Sequence, residues 1–216
     1  DSTGDWSSDV CSSDLEDFSV IRPALEHLES WLTLWGFGLG TPGEEEGNAA
    51  ISTIVAALAS RSKKAEARSI LLAHLSTPSA VSGKAITPSS SAAALASQLI
   101  VLSLALPDVF DFSTLSSLAA PSVPALAQLL AIFQSGDVEA FEKFAVDNAQ
   151  VLAEQKLEKD QLERKLRLLA LAELCSKKVG ELVSYSEIAQ ALRLSKAESD
   201  DRSEEHTSEL QSPVLS

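Results

Sequence analysis

Cysteine is nearly missing from this sequence: Cys11 and Cys175 are the two copies in 216 residues. Aromatic side chains make up 5% of the chain, and β-branched residues are sparse. Strand-like alternation is hard to find, so the sequence argues for an all-α fold. No run of about 20 apolar residues is free of charge or helix breakers, which excludes a membrane-spanning helix. Clustered Lys and Arg are lacking too. The 17 basic residues face 31 acidic ones, a net charge of −14. That balance argues against broad nucleic-acid binding, which needs dense positive charge, and leaves room for a local basic patch only. No HExxH, GxSxG or CxxC occurs. His27 and His74 have no nucleophile or metal-ligand partner at a useful spacing. The sequence therefore assigns no catalytic, cofactor-binding or metal-ligating residue, and it singles out no partner-contacting side chain.

The two ends read as something other than coding sequence. One legal set of codons for residues 202–212, RSEEHTSELQS, has a reverse complement that encodes DWSSDVCSSDL when shifted by one base. That peptide is residues 5–15. The DNA string resembles a sequencing-library adapter, so residues 1–15 and 202–216 are set aside as read-through tails. The tails hold Asp1, Asp5, Asp9, Asp14, Glu204, Glu205 and Glu209 against one base, Arg202. Without them the net charge is about −8, and Cys175 stands alone. A lone cysteine forms no internal disulfide, which suits a reducing compartment. The remaining residues, 16–201, are enough for one core and are expected to be an internal piece of a longer protein.

Within them the periodicity predicts a series of helices. The first spans 18–35, with Ile21, Leu25, Leu28, Leu32 and Trp35 on one stripe and Pro23 in the first turn. The glycine cluster at 36–40 resembles a phosphate loop only superficially. A helix precedes it and Thr41-Pro42-Gly43 follows, so a helix–helix turn is expected. Glu44, Glu45 and Glu46 suit the positive end of a helix dipole better than a metal. Helices follow over 49–58, with Ile51, Ile54, Val55 and Leu58 inward, and over 65–75. His74, near the end of the latter, reads as a dipole partner or a surface residue. Residues 61–64 form a solvated basic connector, and 76–91 a Ser/Thr/Pro/Gly-rich loop.

The stretch 92–106 is apolar almost throughout and too short to cross a bilayer, which predicts a buried core helix. Residues 110–115 lead a short helical piece. A helix over 123–134 turns Leu126, Leu129, Leu130 and Phe133 inward. Gly136 ends it, Asp137 caps the next, and that helix, 138–151, packs back on it. Phe141 and Phe144 read as packing between these helices, because no Lys/Arg groove surrounds them to make a base-stacking platform. Charge-mixed groups such as 158–160 and 163–165 read as ordinary solvated helix faces.

Residues 155–194 organise the rest. Leu162, Leu166 and Leu169 form one helical stripe, and from Leu168 to Leu174 the polar face almost vanishes, which predicts cover on several sides. Cys175 is expected inside this apolar stretch as an inert thiol. Lys177 and Lys178 suit the helix C-terminus and Gly180 stops it. Ser184-Tyr185-Ser186-Glu187 is a capping box for a short helix with Ile188, Ala191 and Leu192 inward.

The segment LERKLRLLALAELCSKKVGELVSYSEIAQALRL resembles the junction of a PCI domain, where a helical-repeat stack runs into a winged helix. PDVFDFSTLSSLAAPSV, LLAIFQSGDVEAFEKF and the leucine-rich LESWLTLWGF, AAISTIVAALAS and SILLAHLST are similar to the subunit M family of translation initiation factor 3. The resemblance implies a right-handed stack of antiparallel helical hairpins over 16–178 and the start of a truncated winged helix over 179–201. It further implies a non-catalytic, cytoplasmic scaffold with no cofactor and no membrane contact. Its partners would be the other subunits of the initiation factor 3 complex and the small ribosomal subunit. No sequence-specific nucleic acid is expected. The seventh-subunit type of the COP9 signalosome resembles the same stretch. A PCI nucleic-acid adaptor would need a basic face on the winged helix, where Arg193 and Lys196 are the bases in view.

Overall fold

Every regular element among the described residues is helical, as the scarcity of β-formers predicts. The computed structural model describes residues 22–76, 89–118, 120–180 and 182–192. Both tails, Ile21, Arg193, Lys196 and nearly all of the Ser/Thr/Pro/Gly-rich loop lie outside them. The chain packs as two units, Asp1–Leu95 and Ala96–Ser216.

In the first unit, the helix expected over 18–35 is broken. It becomes α1, Arg22–Glu26, and α2, Leu28–Leu34. His27 sits between them at φ −100°, ψ −3°, and its amide donates to the Ala24 carbonyl three residues back, a tighter turn than an α-helix makes. The break resets the helical phase. Leu32 is buried, whereas Trp35 leaves the stripe and is 60% exposed. Gly36 closes α2 at φ +77°, and the Phe37 amide returns to the Leu32 carbonyl at 2.8 Å.

The glycine-rich segment is the expected turn. Thr41 Oγ1 donates to the Gly36 and Gly38 carbonyls, and the Gly40 amide donates to Glu44 Oε2 at 2.7 Å. It feeds α3, Glu44–Ser60, whose first turn carries all three glutamates. Gly47 is fixed by packing: a Cβ there would lie 2.0 Å from the Phe37 carbonyl oxygen, so the loop can lie against the helix only over a bare backbone. Helix α3 buries Ile51, Val55 and Leu58 against Ala67, Leu71 and Leu75 of α4, Lys64–Ser76. Helix α5, Ser90–Ala105, starts two residues earlier than its apolar run because Ser89 Oγ accepts from the Ala92 amide. It buries Ala92 and Leu95 in the first unit and Ala96, Leu99, Ile100 and Leu104 in the second, the core helix that its composition predicts.

In the second unit a 3-10 turn, Thr114–Ser117, precedes α6, Pro124–Ser135. Leu126, Leu129, Leu130 and Phe133 are all buried, as their spacing requires. Gly136 adopts φ +66°, and the Asp137 side chain accepts from the Ala140 amide at 3.0 Å, which starts α7, Val138–Asp147. The helix expected to reach 151 stops here. Asn148 takes φ −118°, ψ 28°, and its side chain turns back onto the Phe144 carbonyl, so a separate α8, Ala149–Glu154, follows. Phe112, Phe133 and Phe141 meet edge to face at centroid distances of 5.5 and 6.2 Å.

Helix α9, Lys159–Lys177, packs on α7 and on α10, Tyr185–Leu192. Its buried residues are Leu162, Lys165 and Leu166, all in the first half. The expectation of cover around 168–174 is corrected: Leu168 is half exposed, and Cys175 is exposed rather than enclosed. Among the described residues the neighbours of α9 bury its first half, and an all-apolar sequence does not itself supply a second layer around the rest.

Candidate functional site

The buried polar groups are where chemistry would be sought, and the sequence misplaces two of them. His74 is not at the surface but 1% exposed. It sits in register with Ala67 and Leu71 on the inner stripe of α4, and its ring nitrogens reach across the unit. Nδ1 lies 3.2 Å from Glu29 Oε2 on α2, and Nε2 lies 2.8 Å from Asn48 Oδ1 on α3. Asn48 is equally buried, three residues before Ile51 on its own stripe. Its Nδ2 donates to Ser91 Oγ at 2.9 Å at the start of α5. Ser89 Oγ donates to Glu44 Oε1, whose other oxygen holds the Gly40 amide. The chain of bonds therefore ties four helices together.

This set contains a serine, a histidine and a carboxylate, but its order rules out a nucleophilic triad. The Asn48 amide stands between His74 and Ser91, so the imidazole cannot take the serine proton. The ring is also sealed from any substrate. The arrangement ties the helices to one another.

Lys165 is the second correction. Expected on a solvated face, it is 5% exposed. Nζ donates to the carbonyls of Ser103, Leu104 and Leu106 at 2.8, 3.3 and 2.6 Å, and it lies 5.1 Å from the centre of the Phe112 ring. The last carbonyls of α5 have no helical partner, and this ammonium supplies one while meeting the negative end of the dipole. The signal for His74 and Asn48 was present as polar residues in register with apolar stripes. Lys165 carries a weaker version, adjacent to Leu166 and three residues from Leu162.

The remaining candidates are structural. His27 is exposed and lies against Trp31, with ring centroids 6.0 Å apart. Phe141 and Phe144 are buried, so neither is a stacking platform. The capping box forms: the Ser184 amide donates to Glu187 Oε2 at 3.0 Å, and the Glu187 amide faces Ser184 Oγ at 3.4 Å. Lys178 also pairs with Glu187. That salt bridge and the Ser184 bonds lower the Glu187 carboxyl from 4.5 to about 2. Among the described residues no group of three His, Cys, Asp or Glu side chains is placed to hold a metal ion, and no helix is long and apolar enough to cross a membrane.

What the surface offers is apolar area. Trp31, Leu34 and Trp35 stand out from α2 and its C-terminal cap in the first unit. In the second, Leu168, Val179, Leu182 and Tyr185 do so along the end of α9 and the link to α10, with Leu182 99% exposed. Exposed large apolar residues in local groups are the mark of an interaction surface rather than of a reaction site.

The chain is 29% identical to eukaryotic translation initiation factor 3 subunit M of Chaetomium globosum over 184 residues, 82% of this chain and 41% of that protein. It is 32% identical to the protein of the same name in Phaeosphaeria nodorum over 190 residues, 84% of this chain and 41% of that one. For the Coccidioides immitis protein the identity is 28% over 193 residues, 85% and 39% respectively. The chain thus spans about two fifths of the length of the relatives it matches. No family model matches, and no solved structure matches.

Proposed function

We propose that this chain, similar over more than four fifths of its length to subunit M of eukaryotic translation initiation factor 3, is a segment of such a subunit and works as a non-catalytic scaffold. The observation that carries the reading is the agreement of the relatives in name across nearly all of the packed chain. Three buried polar groups support it, since His74, Asn48 and Lys165 each join one helix to another. In this reading residues 16–178 are PCI-type helical repeats and 179–201 open a winged helix. The protein acts in the cytoplasm by docking to other subunits of the complex on the small ribosomal subunit. The exposed side chains at 179–185 then await a neighbour.

The test is co-expression of the tagged chain with the other initiation factor 3 subunits of Chaetomium globosum, followed by affinity purification and sedimentation with small ribosomal subunits. Recovery of at least one of those subunits with the chain is expected. Recovery of the chain alone, or equal recovery of COP9 signalosome subunits offered in its place, overturns the reading.

A further inference from the structure

Between the α1–α2 corner and α4 lies a groove of about 380 Å³. Leu25, Leu28, Ile70 and Ala73 give it an apolar lining. Glu26, Glu29 and Glu66 add three carboxylates, against a single base, Arg22. Arg22 lies 4.0 Å from Glu26 with both side chains largely in water, so it offsets one charge at most. Glu29 turns Oε2 to His74, whereas its Oε1 is sealed from solvent and has no hydrogen-bond partner. The net negative lining of the groove favours a cationic partner.

We propose that this groove docks a segment of another protein that sets an apolar side chain between α2 and α4 and an arginine or lysine against Glu26 and Glu66. Charge complementarity selects this occupant. The phosphates of a nucleic acid are repelled by the acidic lining, and a neutral peptide gains nothing from it. Helix α2 also presents Trp31, stacked on Trp35 with centroids 6.0 Å apart. Both rings are exposed and give a guanidinium an aromatic face. The inference stands on the groove and is independent of the subunit reading, so failure of the co-purification leaves it untouched.

The experiment uses the full chain and a fluorescein-labelled amphipathic peptide with leucine on one face and arginine on the other. Two comparison peptides replace arginine with glutamate or leucine with serine. Fluorescence anisotropy is expected to show saturable binding of the first peptide alone. The Glu26→Lys/Glu66→Lys variant should weaken it about tenfold or more, while Glu45→Lys/Glu46→Lys, on the exposed first turn of α3, should change it by less than about twofold. Independently of any variant, bound peptide should slow amide exchange at residues 25–29 and 69–73 of the unaltered chain. Equal weakening in both variants means general attraction to an acidic chain and overturns the proposal. So does equal binding of the glutamate or serine peptide, absence of binding, or unchanged exchange in those two segments.

Discussion

The two units bury polar groups by opposite means. In the first, Glu29, His74, Asn48 and Ser91 form a relay in which each side chain depends on the next. In the second, the centre is aromatic, and one ammonium, Lys165, serves three backbone carbonyls by itself. A relay fixes which helix lies beside which, because Leu for His74 would fit the volume but not the bonds. An aromatic centre gains its stability from area and is indifferent to order. The first unit should therefore lose stability cooperatively when polar atoms are removed, and the second when volume is.

The largest expected effect lies in the second unit. Phe141 is fully buried and edge-on to Phe133. Phe141→Ala should cost about 3–5 kcal/mol, read as a lower urea midpoint. The next pair tests the contrast itself. His74→Phe and Lys165→Met should each cost about 2 kcal/mol, since each strands buried acceptors. The difference is in the coupling. His74→Phe combined with Asn48→Ala should be non-additive by about 1 kcal/mol, whereas His74→Phe combined with Lys165→Met should add within about 0.5 kcal/mol. Additivity at His74 and Asn48 would reduce the relay to unrelated contacts and end the comparison.

The same contrast explains what could be read in the sequence. Helix α6 was legible throughout because its four inward residues repeat at steps of three and four and because Gly136 and Asp137 punctuate it. Ser184 and Glu187 were legible for the same reason: a capping box is a contact between neighbours. His74 was not, because Glu29 lies 45 residues away and Asn48 lies 26. Lys165 was not, because its carbonyls are 59 to 62 residues distant. Local spacing reports a face. It does not report what meets that face, which is also why Leu168 and Cys175 were expected inside and are found outside. The breaks at His27 and Asn148 have no signal in the sequence, because neither position holds Gly or Pro. Family resemblance reached further than spacing, since the relatives named above carry the subunit name to which 155–194 and 107–123 are similar.

A smaller effect concerns the seam between α9 and α10, where charge rather than burial makes the contact. Glu187 is held near 2 in the folded chain, against 4.5 when free, by Lys178 first and then by the Ser184 amide and hydroxyl. The folded value is the lower one, so the contribution is present above pH 4.5 and is lost as pH falls toward about 2. A carbon-13 titration of the Glu187 carboxyl should give a midpoint near 2 that moves toward 4.5 in Lys178→Gln. A midpoint that stays put would assign the shift to the capping box alone.

The smallest effects provide the control for all of these, because they should be the same in both units. Ser62 ends α3 at φ +60°, and Lys156 ends α8 at φ +53°. Each lets the following amide return to a carbonyl five residues back: Lys63 to Leu58 and Leu157 to Leu152, both at 2.9 Å. A side chain in this left-handed conformation costs about 1 kcal/mol, which glycine avoids while adding disorder to the unfolded chain. Ser62→Gly and Lys156→Gly should each raise stability by about 0.5 kcal/mol in urea. The surroundings differ, since Leu157 is buried and Lys63 is exposed. Equal gains mean that the cost is paid locally, so that what separates the units is confined to their polar cores. A gain at Ser62 alone means that burial of Leu157 already dictates the turn, and that packing in the second unit governs its backbone as well.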